Sequence, residues 1–219
     1  MNLSFDTLTP TERYKLLCSV VIPRPVAWIT TIAENGSVNA APFSFFNVFA
    51  EDPALVIIGI NRRRGGERKD TLSNIERRRE FTVNMADTAL AEAMVGTAAD
   101  FPPGESETAA LGLATAAGHI IATPRLRDAP ASLECRLYEA RAIGEDRHLV
   151  IGEVVSVAAR EGLFDPETKR MTVPHYDPVA RLFAAGYAKL GEPYDLTVAD
   201  WRTVRRRRRS ADESPGGPA

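Results

Sequence analysis

The segment from Arg24 to Asn47 constrains the fold more than any other part of the chain. An apolar run over residues 26–33 is followed by the dipeptide Asn35-Gly36 and then by a second strand-like run. Both turn residues tolerate a positive φ, so this pattern predicts a tight β-hairpin. Hydroxyl and amide groups then lie beside large aromatic rings on the paired strands, at Thr30, Thr31, Ser44 and Asn47. Such a mixture suits a flat, partly apolar ligand that carries a polar or phosphorylated tail.

The rest of the chain predicts a mainly antiparallel sheet or barrel, with short helices inserted between its strands. The capping-box pattern Thr-Pro-Thr-Glu from residue 9 predicts a helix over about residues 10–18. Asp70 and Asp87 are predicted N-caps of two further short helices, the second reaching about Met94. Strands are predicted over residues 54–60, 80–85, 132–143 and 148–160, the last two joined by a hairpin. Residues 177–190 are predicted as a helix or an irregular segment, and the βαβ order of a Rossmann fold is absent.

Length and composition indicate one domain and a charged tail. The chain has 219 residues, of which 44% are hydrophobic, enough for one core. We predict an ordered body over residues 1–201, with the indole of Trp201 packed on the barrel, and a disordered Arg-rich tail over residues 202–219. Six of the 27 basic and two of the 29 acidic residues lie beyond residue 200, so the first 200 residues carry a net charge of −6. A net negative charge does not favour nucleic-acid binding. The run from Arg205 to Arg209 is open to two interpretations, a site for nucleic acid or acidic lipid and a solvated chain end.

The patterns of targeting segments, cysteines and histidines argue against a membrane, secreted, disulfide-rich or metal-binding protein. No run approaches the ~18 apolar residues of a membrane span, and the N-terminus lacks the features of a signal peptide. Cys18 and Cys135 form no Cys-x-x-Cys pair, which argues against a disulfide framework and against a zinc site. The expected compartment is therefore reducing and cytoplasmic. Cys135 is predicted to be a buried thiol on a strand. His119, His148 and His175 lack metal-ligand spacing. The signatures of esterases, P-loop NTPases and Rossmann enzymes are absent.

A cluster of cations precedes the helix that is predicted to begin at Asp70. Residues 62–71 read Arg-Arg-Arg-Gly-Gly-Glu-Arg-Lys-Asp-Thr. Helix N-termini expose backbone N–H groups and partial positive charge, which favour phosphate. Taken alone, the segment is also typical of a solvated basic loop. Together with the hairpin it favours a phosphate site that includes Arg62, Lys69 and Thr71.

Three ordered motifs resemble those of the flavin reductase-like, FMN-binding split-barrel family, which includes flavoredoxins. They are Arg-Pro-Val-Ala-Trp-Ile-Thr-Thr from residue 24, Asn-Ala-Ala-Pro-Phe-Ser-Phe-Phe-Asn from residue 39 and Lys-Asp-Thr-Leu-Ser-Asn-Ile from residue 69. Further matches at residues 80–84, 132–135 and 148–154 extend the resemblance from about residue 10 to residue 196. The resemblance implies an antiparallel split β-barrel that forms a homodimer, with FMN bound near the subunit interface.

The resemblance also implies which residues hold the flavin. Those matching Thr30 and Thr31 are expected near the isoalloxazine ring, and those matching residues 44–47 around the ribityl chain and phosphate. Lys69 and Thr71 are expected at the phosphate. The implied cofactor-binding set is Trp28, Thr30, Thr31, Ser44, Phe45, Phe46, Asn47, Arg62, Lys69, Thr71 and Tyr187.

The activity implied by the resemblance is that of an FMN-dependent oxidoreductase, a flavin reductase that transfers electrons from NAD(P)H to FMN. Direct hydride transfer needs no general base, so no catalytic residue is named. Two alternatives remain: a non-enzymatic FMN electron-transfer protein that docks to a partner reductase, and an enzyme similar to pyridoxamine-phosphate oxidase. One stretch departs from the family, whose members often carry Arg-Leu-Gly-Gly-x-x-Tyr where residues 181–187 read Arg-Leu-Phe-Ala-Ala-Gly-Tyr. Phe183 and Ala184 are therefore expected to narrow the substrate side.

Overall fold

A seven-stranded antiparallel sheet with the architecture of a split β-barrel forms the body of the protein. The computed structural model describes residues 2–63, 65–171, 176–203 and 205. The sheet has the strand order β2-β1-β5-β8-β9-β4-β3. These strands span Ala27–Ile32 (β1), Val38–Phe43 (β2), Phe46–Glu51 (β3), Ala54–Asn61 (β4), Glu80–Asn84 (β5), Ala131–Ile143 (β8) and Arg147–Ala159 (β9). The antiparallel fold class expected from the sequence is confirmed.

The hairpin predicted at Asn35-Gly36 joins β1 to β2. Ile32 pairs with Val38, and Gly36 adopts a φ of +83°, a conformation that glycine reaches without steric cost. The Asn35 side chain accepts hydrogen bonds from the backbone N–H and the hydroxyl of Ser37, at 3.0 and 2.7 Å. These local contacts set the register of the two strands, as the sequence predicted.

The long hairpin β8–β9 forms the middle of the sheet and ends within one residue of its predicted bounds. Its register shifts between Glu134 and Cys135 and again between Leu137 and Glu139, and such bulges bend and twist a strand pair. On β9, a Cβ atom at Gly152 would lie 2.4 Å from the ring of Phe81, so only glycine allows the strand to pass over that ring. Phe81 and Cys135 are fully buried in the core that this packing creates.

Short α-helices lie between the strands and before the first of them, at Pro10–Val20 (α1), Asp70–Arg78 (α2), Ala91–Gly96 (α3) and Glu107–Ala110 (α4). The capping box is present at the start of α1, where Thr9 and Glu12 bond each other's backbone N–H groups. Asp87 caps a 3₁₀ turn, Thr88–Leu90, that leads into α3. The prediction that Asp70 caps α2 is wrong: the N-cap is Lys69, and the Asp70 carboxylate instead pairs with Arg63 at 3.0 Å.

The C-terminal region differs from its prediction. Instead of a helix or an irregular segment, residues 177–190 contain a small hairpin, Val179–Arg181 (β10) with Tyr187–Lys189 (β11). Another two-stranded ladder, Thr115–Ala116 (β6) with Arg125–Leu126 (β7), lies in a region that the sequence pattern left unassigned. Trp201 is 63% exposed in this chain, so the prediction that its indole packs on the barrel is wrong. His175 and most of the predicted tail lie outside the described residues. Within the described residues no helix has the length and apolar character that a bilayer span requires.

Candidate functional site

A cavity of about 980 Å³ opens between α1, the β2–β3 connection, the basic loop and the β10–β11 hairpin. This volume is at the upper end of the roughly 300–1,000 Å³ that is typical of small-molecule sites. The side chains that line it include cations and aromatic rings from five separate parts of the chain. Five of the residues predicted to bind the cofactor are among them: Ser44, Phe45, Arg62, Lys69 and Tyr187.

Two other predicted residues, Phe46 and Asn47, lie on a smaller and more apolar cavity of about 330 Å³. Ser44 and Phe45 line both cavities, so the β2–β3 connection separates them. The Asn47 amide oxygen accepts a hydrogen bond from the Val48 backbone N–H at 2.8 Å. Within this chain, Phe46 and Asn47 thus line a different cavity from Lys69.

Four of the predicted cofactor-binding residues have side chains that are buried and do not line the cavity. Trp28 and Thr30 have no exposed surface. The indole N–H of Trp28 donates to the Thr97 hydroxyl at 2.9 Å, and the Thr30 hydroxyl donates to the carbonyl of Pro124 at 2.7 Å. Thr31 is equally buried, and Thr71 is 1% exposed. In these positions the four side chains stabilise the strands and the helix that border the cavity, and they do not face a ligand in it.

The buried hydroxyls of Thr31 and Thr71 belong to one hydrogen-bond network that joins α2 to the hairpin. Both donate to the Asn39 amide oxygen, at 3.2 and 3.0 Å. The Asn39 amide nitrogen donates to both carboxylate oxygens of Glu107, at 2.7 and 2.8 Å. Burial raises the pKa of Glu107, and the hydrogen bonds from Ala40 and Asn39 act in the opposite direction. The network fixes the N-terminal turn of α2, and therefore Lys69, against β2.

Asn84 fixes β1 to its other neighbours. Its amide nitrogen donates to the Trp28 carbonyl and the Thr30 hydroxyl, at 2.9 and 3.2 Å. Its oxygen accepts from the Leu126 N–H and the Ser132 hydroxyl, at 2.8 and 2.9 Å. All four bonds of this fully buried side chain are made, so it ties four strands together without an unpaired polar atom.

The cationic end of the cavity contains Lys69, Arg62 and Arg63. Arg63 is neutralised by Asp70, and Arg62 donates to the carbonyls of Glu145 and Gly66. The Lys69 ammonium group has no hydrogen-bond or ion-pair partner among the residues that the structure describes, although the Lys69 carbonyl accepts from the backbone N–H groups of Leu72 and Ser73. Burial lowers the pKa of Lys69, and the charge of Arg63 lowers it further. A half-buried ammonium group at a helix N-terminus, without a partner among the described residues, has the charge and position that suit an anion.

Aromatic rings form the walls of the cavity. Tyr14 of α1 stacks on Phe45 with a centroid separation of 6.1 Å and an interplanar angle of 30°. Across the cavity, the Arg181 guanidinium lies over the ring of Tyr187, 4.6 Å from its centroid. Sequence reasoning missed Tyr14, because nothing in the helix pattern of α1 shows which ring it will meet.

The departure from the family motif at residues 181–187 does not narrow the cavity. Phe183 and Ala184 lie in the turn between β10 and β11, and neither is among the residues that line it. Phe183 is 53% exposed, and Ala184 has a φ of +50°, a conformation that glycine adopts more easily. The expected restriction of the substrate side is therefore wrong within this chain.

Comparison with known proteins reveals similarity over most of the chain. Residues 19–184 match the sequence profile of the flavin reductase like domain. The 2-nitrobenzoate 2-nitroreductase NbaA of Pseudomonas fluorescens is 37% identical, with a TM-score of 0.84 over 92% of this chain and 98% of that one. Nitrilotriacetate monooxygenase component B of Bacillus cereus is 35% identical, with a TM-score of 0.85 over 90% of this chain and 98% of that one. The uncharacterized protein YwrF of Bacillus subtilis (strain 168) is 38% identical over 87% of this chain and 95% of its own length.

Proposed function

This chain belongs to the flavin reductase-like family, and from that premise we propose that it is an FMN-dependent oxidoreductase that reduces flavin with NAD(P)H. The main observation in support of the proposal is that the Lys69 ammonium group and the rings of Tyr14, Phe45 and Tyr187 line the same cavity. A phosphate group suits the first feature and a planar ring system suits the second. FMN combines the two in one molecule.

The donor set at the cationic end fits one phosphate group. Lys69 supplies an uncommitted ammonium group, and the N-terminal turn of α2 adds partial positive charge. Ser44 lines the same cavity and offers a hydroxyl. Because the sequence has no second glycine-rich loop that could hold a pyrophosphate, we propose FMN rather than FAD.

The protein's role in the reaction is to bind and orient. When bound, FMN supplies the redox chemistry by accepting a hydride from a reduced nicotinamide. Lys69 and Arg62 balance the charge of the phosphate, while Tyr14, Phe45 and Tyr187 offer surfaces for planar rings. The proposal therefore assigns no proton-transfer residue.

We also propose that the protein acts as a homodimer in the cytoplasm. Strand β3 lies at the edge of the sheet, and its residues Val48 and Phe49 are 72% and 63% exposed. An exposed apolar edge strand is typical of a surface that a partner covers. Cys18 and Cys135 are both free and buried, as suits a reducing compartment. Light scattering at micromolar concentration should give twice the chain mass of 23.9 kDa; the monomer mass with FMN bound would contradict the dimer.

Anaerobic titration of the FMN-loaded protein tests the activity. Stoichiometric NADH or NADPH should rapidly bleach the visible flavin band, and mass spectrometry should identify the heat-released cofactor as FMN. Reduction only after addition of a separate reductase would favour the electron-transfer protein instead. FAD as the sole occupant would refute the assignment of FMN, and failure to bind either flavin would refute the proposed function.

A further inference from the structure

Arg147, the first residue of β9, has a position that the binding of FMN does not explain. It pairs through its backbone with Asn61 of β4, and its side chain lines the cavity. The guanidinium lies 4.4 Å from the centroid of the Phe45 ring. No side-chain donor of Arg147 has a hydrogen-bond or ion-pair partner among the described residues. Its orientation is thus set by stacking, while its donors remain uncommitted.

The packing around Phe45 holds the guanidinium in place. A Cβ atom at Gly59 would lie 3.0 Å from Cβ of Phe45 and 3.5 Å from Nη1 of Arg147. The Gly59 backbone N–H donates to the Phe45 carbonyl at 2.7 Å, and Tyr14 stacks on the same ring. The missing side chain at Gly59 therefore lets the ring and the guanidinium approach this strand. Such an arrangement reduces the entropy that Arg147 loses when it binds a ligand.

The other guanidinium groups on the cavity are already engaged. Arg63 pairs with Asp70, Arg62 donates to two carbonyls, and Arg181 donates to the Ala184 carbonyl. Lys69 is the cation that the proposed function assigns to the flavin phosphate. Among the described arginines on the cavity, Arg147 is the one whose donors all remain available.

We infer that Arg147 forms a second anion site, which binds the carboxylate or phosphate of the molecule that exchanges electrons with the flavin. The inference rests on the proposed function and adds a substrate class to it. A planar guanidinium matches the two oxygens of either anion. The neighbouring ring of Tyr14 offers a surface for a planar group on the same ligand. An aromatic carboxylate and a nucleotide both meet these requirements.

Paired ligands that share a planar ring system, one member with an anionic group and one without, test the inference on the FMN-loaded protein. Benzoate and benzamide form one pair, and ADP and adenosine form the other; binding is followed by the change in flavin absorbance and by calorimetry. We expect the wild-type protein to prefer one anion over its neutral analogue by roughly tenfold or more. Arg147→Met should abolish that preference, and Arg147→Lys should retain part of it. Arg141→Met, which removes an exposed cation from the neighbouring strand, should leave it unchanged.

The two ligand pairs identify which molecule supplies the anion, and flavin-binding measurements on each variant serve as controls. A preference for benzoate indicates a carboxylate substrate, whereas a preference for ADP indicates the dinucleotide. No preference in the wild-type protein, or an undiminished one in Arg147→Met, overturns the inference. FMN and riboflavin affinities are measured first for each variant. If Arg147→Met weakens FMN but not riboflavin, Arg147 holds the flavin phosphate, so the inference fails while the proposed function stands; if the wild-type protein binds no flavin, the proposed function itself fails.

Discussion

Replacement of Lys69 by methionine is the most direct test of where the flavin phosphate binds. Methionine keeps an unbranched apolar stem of similar length but removes the charge. The ammonium group makes no contact with a carboxylate within the described residues, and burial together with Arg63 lowers its pKa. Lys69 is therefore more readily protonated in the unfolded chain than in the folded one. In the absence of a ligand, loss of the charge at neutral pH should leave the protein at least as stable as the wild type.

The effect on binding should be large and specific for the phosphate. A charge-assisted hydrogen bond to phosphate contributes about 1.5–3 kcal/mol, which is roughly ten- to a hundredfold in affinity. Lys69→Met should lose that amount for FMN and almost none for riboflavin, which lacks the phosphate. Arg68→Met is the matched control, because Arg68 belongs to the same loop but pairs with Glu76 and does not line the cavity.

The pH dependence supplies a second readout from the same titrations. Phosphate binding favours the charged lysine, so FMN affinity should be highest between the second phosphate pKa, about 6, and the lowered pKa of Lys69. It should fall as the pH rises through that pKa, and the fall should be missing in Lys69→Met. Fluorescence quenching of FMN and of riboflavin measures both affinities. An unchanged FMN affinity in Lys69→Met, or an equal loss for riboflavin, would refute the placement of the phosphate.

Three further outcomes follow from the hydrogen bonds and the chain end. Asn84→Ala leaves the Trp28 carbonyl and the Leu126 N–H without their Asn84 partner. Urea denaturation should therefore reveal that the free energy of unfolding falls by about 2–5 kcal/mol. A fall of less than about 1 kcal/mol would contradict the importance of this hydrogen-bond network. Burial acts to raise the pKa of Glu134, but three backbone N–H donors, at residues 119–121, outweigh it and lower the pKa. The stability that Glu134 adds should be present above about pH 4.3 and disappear as the pH falls through its lowered pKa, so the difference from Glu134→Gln should shrink in acid. Removal of residues 203–219 should change FMN affinity and NAD(P)H turnover by less than about twofold, and loss of the flavin or of the dimer would place the arginines at the site.

Features that depend on neighbouring residues could be predicted from the sequence. The capping box at Thr9, the turn at Asn35-Gly36 and the long hairpin of β8 and β9 each involve contacts within a few residues or one strand pair. Their energetics are local, so the elements and their order along the chain follow from the pattern. The ordered motifs likewise led to the family, and the cationic loop before α2 led to Lys69.

Which side chains reach the cavity was decided by tertiary packing. Strand alternation places Thr30 and Thr31 on opposite faces of β1, but the segment at Pro124 covers one and α2 covers the other, so neither is free. Conversely, Tyr14 and Arg147 meet around Phe45 although they are far apart in the chain. The pairing of β4 with β9 brings Arg147 beside Gly59, and the absence of a side chain there makes room for the stack. Exposure of a side chain depends on which distant element lies over it, and no local pattern in the sequence carries that information.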